Sequence, residues 1–224
     1  LMVKVEFKYD PADQFTPRIV PASQALPDWY KEMPLQREYN KDAPWEAGTV
    51  KTCMPFLDAM IQGYIIPLWS DLHVSPGPKF TWLPEGRTVI AAHSEGQVPS
   101  DMGQPFKFMS PWIVKTPKGY SSLFTAPLNQ ENPLFKIVSA IVSTDEYFHY
   151  INFPFFWAGG DWTGVIPQGT PLVHMLPFKR VDYEHESKPL TSPEQDRISA
   201  TTVALRSSFR GVYKRLWRHI TRST

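Results

Sequence analysis

PFKFMSPWIVKTPKGYSSLFTAPLNQENPLFKIVSAIVSTDEYFHYINFPFFWAGGDWTGVIPQGTPLVHMLPFKR, residues 105–180, is the stretch that decides the fold. Short runs of Val, Ile, Phe, Tyr and Thr alternate with Pro and Gly. The breaks fall at Lys115-Thr116-Pro117-Lys118-Gly119, at Asp161 to Gly164, and at Ile166-Pro167-Gln168-Gly169. Runs of this length between turn residues predict strand after strand in a compact, mainly β body.

Upstream, Met2 to Tyr9 alternates like one strand. Residues 11–44 are Pro-rich. Within them, Ala25 to Met33 predicts one or two helical turns with Trp29 and Met33 on one side. A short helix over Phe56 to Gln62 is expected to lead into a strand from Gly63 to Trp69. Residues 75–104 read as loop, with Gly77, Gly86, Gly96 and Gly103 among several prolines. The expected organisation is a Pro-rich N-terminal arm (1–44), a β-rich core domain (45–182), and a linker with a basic C-terminal helix (183–224).

A chain of 224 residues fits one ordinary domain with appendages. Aromatic residues make up 14% of it, enough to build a substantial core. Its 23 prolines are scattered, so they read as strand ends and loop formers rather than low complexity. The single cysteine, Cys53, rules out an internal disulfide and a multi-cysteine zinc site. A lone thiol fits a reducing compartment. No apolar run reaches the roughly 20 residues of a membrane span, and the first residues lack an apolar signal-peptide core. A cytoplasmic location is therefore expected rather than secretion.

The tail has its own character. Ser192-Pro193-Glu194-Gln195 predicts a helix start with Ser192 as N-cap. Phe209, Val212, Tyr213, Leu216, Trp217 and Ile220 then recur at helical spacing. Residues 194–224 hold seven Lys/Arg and two Asp/Glu, a charge of +5. With a total of +1, the remainder carries 1 − 5 = −4. Arg206, Arg210, Lys214, Arg215, Arg218 and Arg222 cluster on this helix as candidate partner-binding cations. Acidic protein or nucleic-acid phosphate is the partner class they fit. An anionic membrane surface is a further option, and a simply solvated helix face is the plain alternative.

Up to Arg180 the chain resembles an uncharacterised protein family found in marine bacteriophages and some bacteria. The matching pieces are Pro21-Ala22-Ser23, Leu26-Pro27-Asp28-Trp29-Tyr30, Lys51 to Ala59, Gly63-Tyr64, Ser110-Pro111-Trp112, Asn152 to Phe155 and Gly169-Thr170-Pro171. That resemblance brings no activity with it.

Four motifs in order are similar, more distantly, to the dUTPase and dCTP-deaminase fold. They are Ala59 to Ile66, the strand pair around Pro117-Lys118-Gly119, Val142 to Ile151 aligned on Tyr147, and Ile166 to His174. The resemblance implies a distorted β-barrel or β-clip, commonly trimeric. It places a candidate nucleotide pocket at Gly63, Tyr64, Asp145 and Tyr147. It does not bring the chemistry. The family's water-activating carboxylate falls on Thr144, and general-base catalysis needs a basic group in the right place. Asp145 is adjacent, but one residue along a strand reverses the face. The phosphate-binding Arg-Ser step is replaced by Ala126-Pro127-Leu128-Asn129. The final Arg and Gln become Pro171 and His174. A non-enzymatic homo-oligomer, with no catalytic residue, metal or cofactor, is the resulting expectation. A degenerate nucleotide-binding protein is the alternative.

Other groups have plainer explanations. His93, Glu95 and His174, with Lys179 and Arg180, outline a two-histidine, one-carboxylate iron site of the oxygenase type. An exposed loop histidine and a hydrogen-bonded core histidine account for the same residues. Cys53 has no histidine motif around it and fits a buried, inert thiol. Asp145 and Glu146 are adjacent and would face opposite ways on a strand. Phe153, Phe155, Phe156, Trp157 and Trp162 suit a core strand. Pro154 inside that run suggests a bulge or a sheet edge, and such an aromatic edge could be buried between subunits.

Overall fold

The computed structural model describes residues 3–36, 48–83, 87–93, 103–130, 132–207 and 212–218. The described residues are mainly β, with four antiparallel sheets among them. The expected barrel is not formed: among the described residues the sheets stay separate and none closes on itself.

The organising strand is β14, Pro171–Lys179. It lies between β3, Tyr64–Pro67, and β9, Tyr120–Thr125. Leu172, Val173, His174 and Met175 are all buried. A consecutive buried run of this kind marks a strand covered on both faces. β11, Ala140–Val142, extends the sheet beyond β9, and β2, Val20–Pro21, extends it beyond β3.

The second sheet holds most of the aromatic core. Its order is β10 (Phe135–Ile137), β12 (Phe153–Trp157), β7 (Pro105–Phe108) and β6 (Ile90–Ala92). Phe155 is completely buried and stacks on Phe108 at 4.3 Å and on Phe106 at 5.6 Å. Phe153 and Phe156 are buried too, so these rings fill this chain's own core. β12 is a central strand, not the edge that Pro154 suggested. The Pro154 carbonyl accepts a hydrogen bond from Val138 N–H at 2.9 Å, just past the last β10 pair. The missing N–H therefore falls where the ladder has already ended.

Two smaller sheets complete the body. β4 (Asp71–Ser75) and β5 (Lys79–Leu83) form a hairpin, and β13 (Gly164–Ile166) pairs with β4. The loop expected over 75–104 thus contains β5 and β6. Its Pro-Gly-Pro stretch is a hairpin turn with Gly77 at φ +90°, and Lys79-Phe80-Thr81-Trp82-Leu83 alternates like any half-exposed strand. The fourth sheet pairs β1 (Glu6–Lys8) with β8 (Ile113–Lys115). β8 and β9 are joined by the Pro-Lys-Gly turn, yet each pairs with other strands.

The N-terminal arm is stitched to the body. The Asp10 carboxylate accepts from Ala12 N–H and caps a single 3-10 turn, Pro11–Asp13. Asp13 then closes on Arg87. The short helix α1, Asp28–Glu32, forms as expected; it buries Tyr30 and leaves Trp29 43% exposed. Pro27 sits just before α1, and the helix is only five residues long, so tertiary packing rather than periodicity selects its face. α2, Met54–Ile61, lies against this arm, with Phe56 stacked on Tyr30 at 6.3 Å.

After β14 the chain leaves the body. Every residue from Phe178 to Ala200 is exposed. Helix α3, Ser192–Ser207, and the short α4, Val212–Leu216, follow. The cap of α3 is Thr191, one residue before the one predicted. Its N–H and hydroxyl both donate to the Glu194 carboxylate at 2.7 Å. Thr191 and Glu194 have the spacing of a capping box. Phe209 and Ile220 of the predicted apolar stripe lie outside the described residues.

Candidate functional site

The turn after β11 gathers most of the polar chemistry. Asp145 sits there, its side chain only 1% exposed. Its carboxylate accepts from Arg180 Nη1 at 2.8 Å and Nη2 at 2.5 Å, and from Gly119 N–H at 2.8 Å. The Arg180 guanidinium holds the Asp145 carboxyl down at about 2, and the Gly119 hydrogen bond works in the same direction. Arg180 Nη1 also donates to the Tyr120 carbonyl and to Ser121 Oγ. A carboxylate fixed by a two-point guanidinium contact is a poor general base, because its lone pairs are occupied and its proton affinity is low.

Thr144, at the position of the resembled family's base, is completely buried. Its hydroxyl lies 2.8 Å from Thr116 Oγ1 and 2.9 Å from Ser122 Oγ. Thr116, Ser121 and Ser122 are buried as well. These hydroxyls are why β9 can carry polar residues inward: each finds a partner within the group or on Arg180. The cluster pins β8, β9 and the 143–147 turn together.

Gly63 and Tyr64 lie elsewhere on the same sheet. Tyr64 pairs with Met175, while Arg180 stands five residues further along the strand direction. At about 3.4 Å per residue this puts the two halves of the candidate pocket roughly 17 Å apart along one chain. The Tyr64 ring packs edge-on against Phe7 at 5.0 Å. Gly63 has φ +69°, and a Cβ there would stand 2.1 Å from the Met175 carbonyl oxygen. A close backbone approach thus demands this glycine without any ligand. Tyr147 is 48% exposed.

His174 is fully buried between two backbone groups. Nε2 donates to the Gln62 carbonyl at 2.5 Å, and Nδ1 accepts from Leu128 N–H at 3.4 Å. Burial pushes its imidazolium below the usual histidine range, against the opposing effect of the Gln62 hydrogen bond. Both ring nitrogens are engaged, so the ring ties the end of α2 and the 126–129 loop to β14 rather than offering a metal lone pair. His93 lies just past β6, and its backbone is bonded to Pro105 and Gln104. Glu95 lies outside the described residues, among which no group of three potential metal ligands occurs. Cys53 is not buried as expected but exposed, because it stands at the N-cap of α2 rather than inside an element.

The candidate tail cations divide. Lys214 and Arg215 are exposed on α4. Arg218 instead faces inward, its side chain only 10% exposed. Its Nε donates to both Asp58 oxygens at 2.9 and 3.0 Å, and Nη2 to Oδ1 at 2.5 Å. Arg218 therefore anchors the tail to α2. Arg210, Arg222 and the side chain of Arg206 lie outside the described residues. Helical spacing groups Arg218 with the solvent-facing cations, and no local signal marks Asp58, 160 residues away, as its partner.

No family model matches the chain, and no curated protein matches it.

Proposed function

We propose that the chain is a non-enzymatic, phage-associated β protein that assembles with copies of itself and contacts an acidic partner through its basic C-terminal helix. The observation carrying this proposal is the continuous exposure of residues 178–200. An isolated helix of about 16 residues is marginal in water without an apolar face to bury. On α3, Ile198, Val203 and Leu205 are 51%, 65% and 47% exposed. With Leu190, Thr201 and Thr202, Ile198 lines an open, largely apolar groove flanked by Glu194 and Arg197. The +5 tail and −4 remainder are of opposite sign, which favours contact between the tail of one copy and the body of another. The acid-base positions point the same way: Asp145 is tied to Arg180 and Thr144 is sealed among hydroxyls. The similarity to the dUTPase-like fold and to the phage family supports a trimeric, virus-encoded protein.

Light scattering and heparin retention test this. The expected result is a multimer retained in a salt-dependent way, with retention weakened in Lys214→Glu/Arg215→Glu. A strictly monomeric protein that passes through the column overturns it.

A degenerate nucleotide-binding protein has less support, since Asp145 and Tyr64 are both engaged within the chain. Its test is a thermal-shift screen: a nucleotide at 100 times its Kd adds about 2.7 kcal/mol of stability. An iron-dependent oxygenase has the least, because His174 uses both nitrogens on backbone groups.

A further inference from the structure

We propose that the aromatic turn Tyr147-Phe148-His149-Tyr150, with Lys8, Arg18 and Tyr9 beside it, binds single-stranded nucleic acid. Four consecutive aromatic side chains are an unusual thing to leave at a surface. Tyr147 is 48% and Phe148 63% exposed, His149 is exposed, and Tyr150 is half-buried. The core does not need them: its aromatic packing is supplied by Phe106, Phe108, Phe135, Phe153 and Phe155.

Strand pairing brings cations to these rings. Lys8 pairs with Ile113, and Ile113 bridges to Tyr150, so three segments run side by side. At strand spacing, Lys8 and Tyr150 are roughly 10 Å apart across them. Lys8 Nζ stands 5.7 Å from the Phe148 ring centre, and the Arg87 guanidinium 4.8 Å from that of Tyr150. The Arg18 guanidinium lies 3.9 Å from the Tyr9 ring centre and 5.8 Å from that of Trp112.

These cations differ in how far they are neutralised. Arg87 is closed by Asp13. Lys8 is 3.7 Å from Glu6, which is held more closely by Lys4 at 2.8 Å. Arg18 makes one hydrogen bond, to the Gln14 carbonyl, and meets no carboxylate among the described residues. Its guanidinium is held over the Tyr9 ring with donors left for a phosphate. The acids of the turn itself are Asp145, bound to Arg180, and Glu146, which is exposed.

This combination selects the partner. Unpaired bases stack on aromatic faces whatever their identity, while nearby cations take the phosphates. Duplex hides the base faces these rings would need. A protein partner would have to desolvate Lys8 within the contact, and interfaces are depleted of lysine. The surface is separate from the C-terminal helix, so the two proposals fail independently.

The test is fluorescence anisotropy with a labelled oligothymidylate and a duplex of equal length, in low and physiological salt. The expected result is saturable binding that prefers the single strand. Tyr147→Ala/Phe148→Ala should weaken it about tenfold or more. Arg18→Ala should lower the slope of log affinity against log salt by about one. Both substitutions change exposed side chains, and an unchanged melting temperature verifies folding. Lys214→Glu/Arg215→Glu removes two of the tail's cations, and the preference for the single strand over the duplex should persist in it. No saturable binding, preference for duplex, loss only in the tail variant, or equal competition by polyglutamate would each overturn the proposal.

Discussion

Arg180 grips Asp145 through two parallel hydrogen bonds, 2.8 and 2.5 Å long, at the point where β14 ends and the exposed tail begins. The pair also reaches Gly119 and Ser121, so it joins the β8–β9 turn, the 143–147 turn and the end of the central strand.

Because the folded-state carboxyl of Asp145 lies at about 2, below its ordinary 3.8, the folded protein binds this proton less readily than the unfolded chain. The stabilisation is complete above about pH 4 and is lost as pH falls toward 2. Thermal unfolding followed from pH 6 to pH 2 should show a drop that Asp145→Asn lacks, the variant being less stable at pH 6. Parallel curves for the two proteins would contradict the assignment.

His174 has the opposite charge type but the same sign of pH dependence. Its imidazolium is disfavoured by burial, so below the ordinary value of 6.5 the unfolded chain binds the proton more readily. Its contribution is present above pH 6.5 and falls as pH drops below it. His174→Ala should lose about 2–4 kcal/mol at pH 7.5, through the cavity and two unpaired backbone groups. Its stability should also be flatter between pH 7 and 5. Denaturant melts at the two pH values check both parts.

Arg218 and Asp58 hold the far end of the tail on α2. Removing one member leaves the other partly buried and unpaired. Arg218→Ala should therefore cost about 1–3 kcal/mol, between the surface and fully buried limits for ion pairs. The loss should be local: hydrogen exchange should quicken in α4 and in Met54–Ile61 while β14 stays protected. Uniform protection throughout would show that the tail is not anchored there.

Gly63→Ala tests whether that glycine is structural. With φ at +69° and the Met175 carbonyl oxygen 2.1 Å from where the new methyl group would sit, β3 and β14 must move apart. A loss of at least about 1–3 kcal/mol is expected, visible as a lower denaturation midpoint. A neutral substitution would mean the two strands can separate freely at this point.

The local alphabet of the chain was enough to read the strands over 105–180, the helix leading into Tyr64, and the capped helix near Ser192. Each rests on neighbouring residues: alternation, Pro-Gly turns, or a Ser-Pro-Glu-Gln start. It also assigned the Phe153–Trp157 run to a core. The hairpin over Asp71–Leu83 was missed because two prolines flanking Gly77 look like a loop when the turn they make is not yet paired.

The tertiary structure alone decided which strands meet and which charges are engaged. β8 and β9 adjoin in sequence but belong to different sheets, because their partners β1 and β14 come from distant parts of the chain. Asp145 is bound 35 residues away by Arg180, Asp58 by an arginine 160 residues on, and His174 by a carbonyl 112 residues before it. No periodicity encodes such pairings. Composition and spacing determine where a side chain of a given chemistry falls on its own element. Whether that chemistry is available to a partner depends on packing against elements far away in the chain.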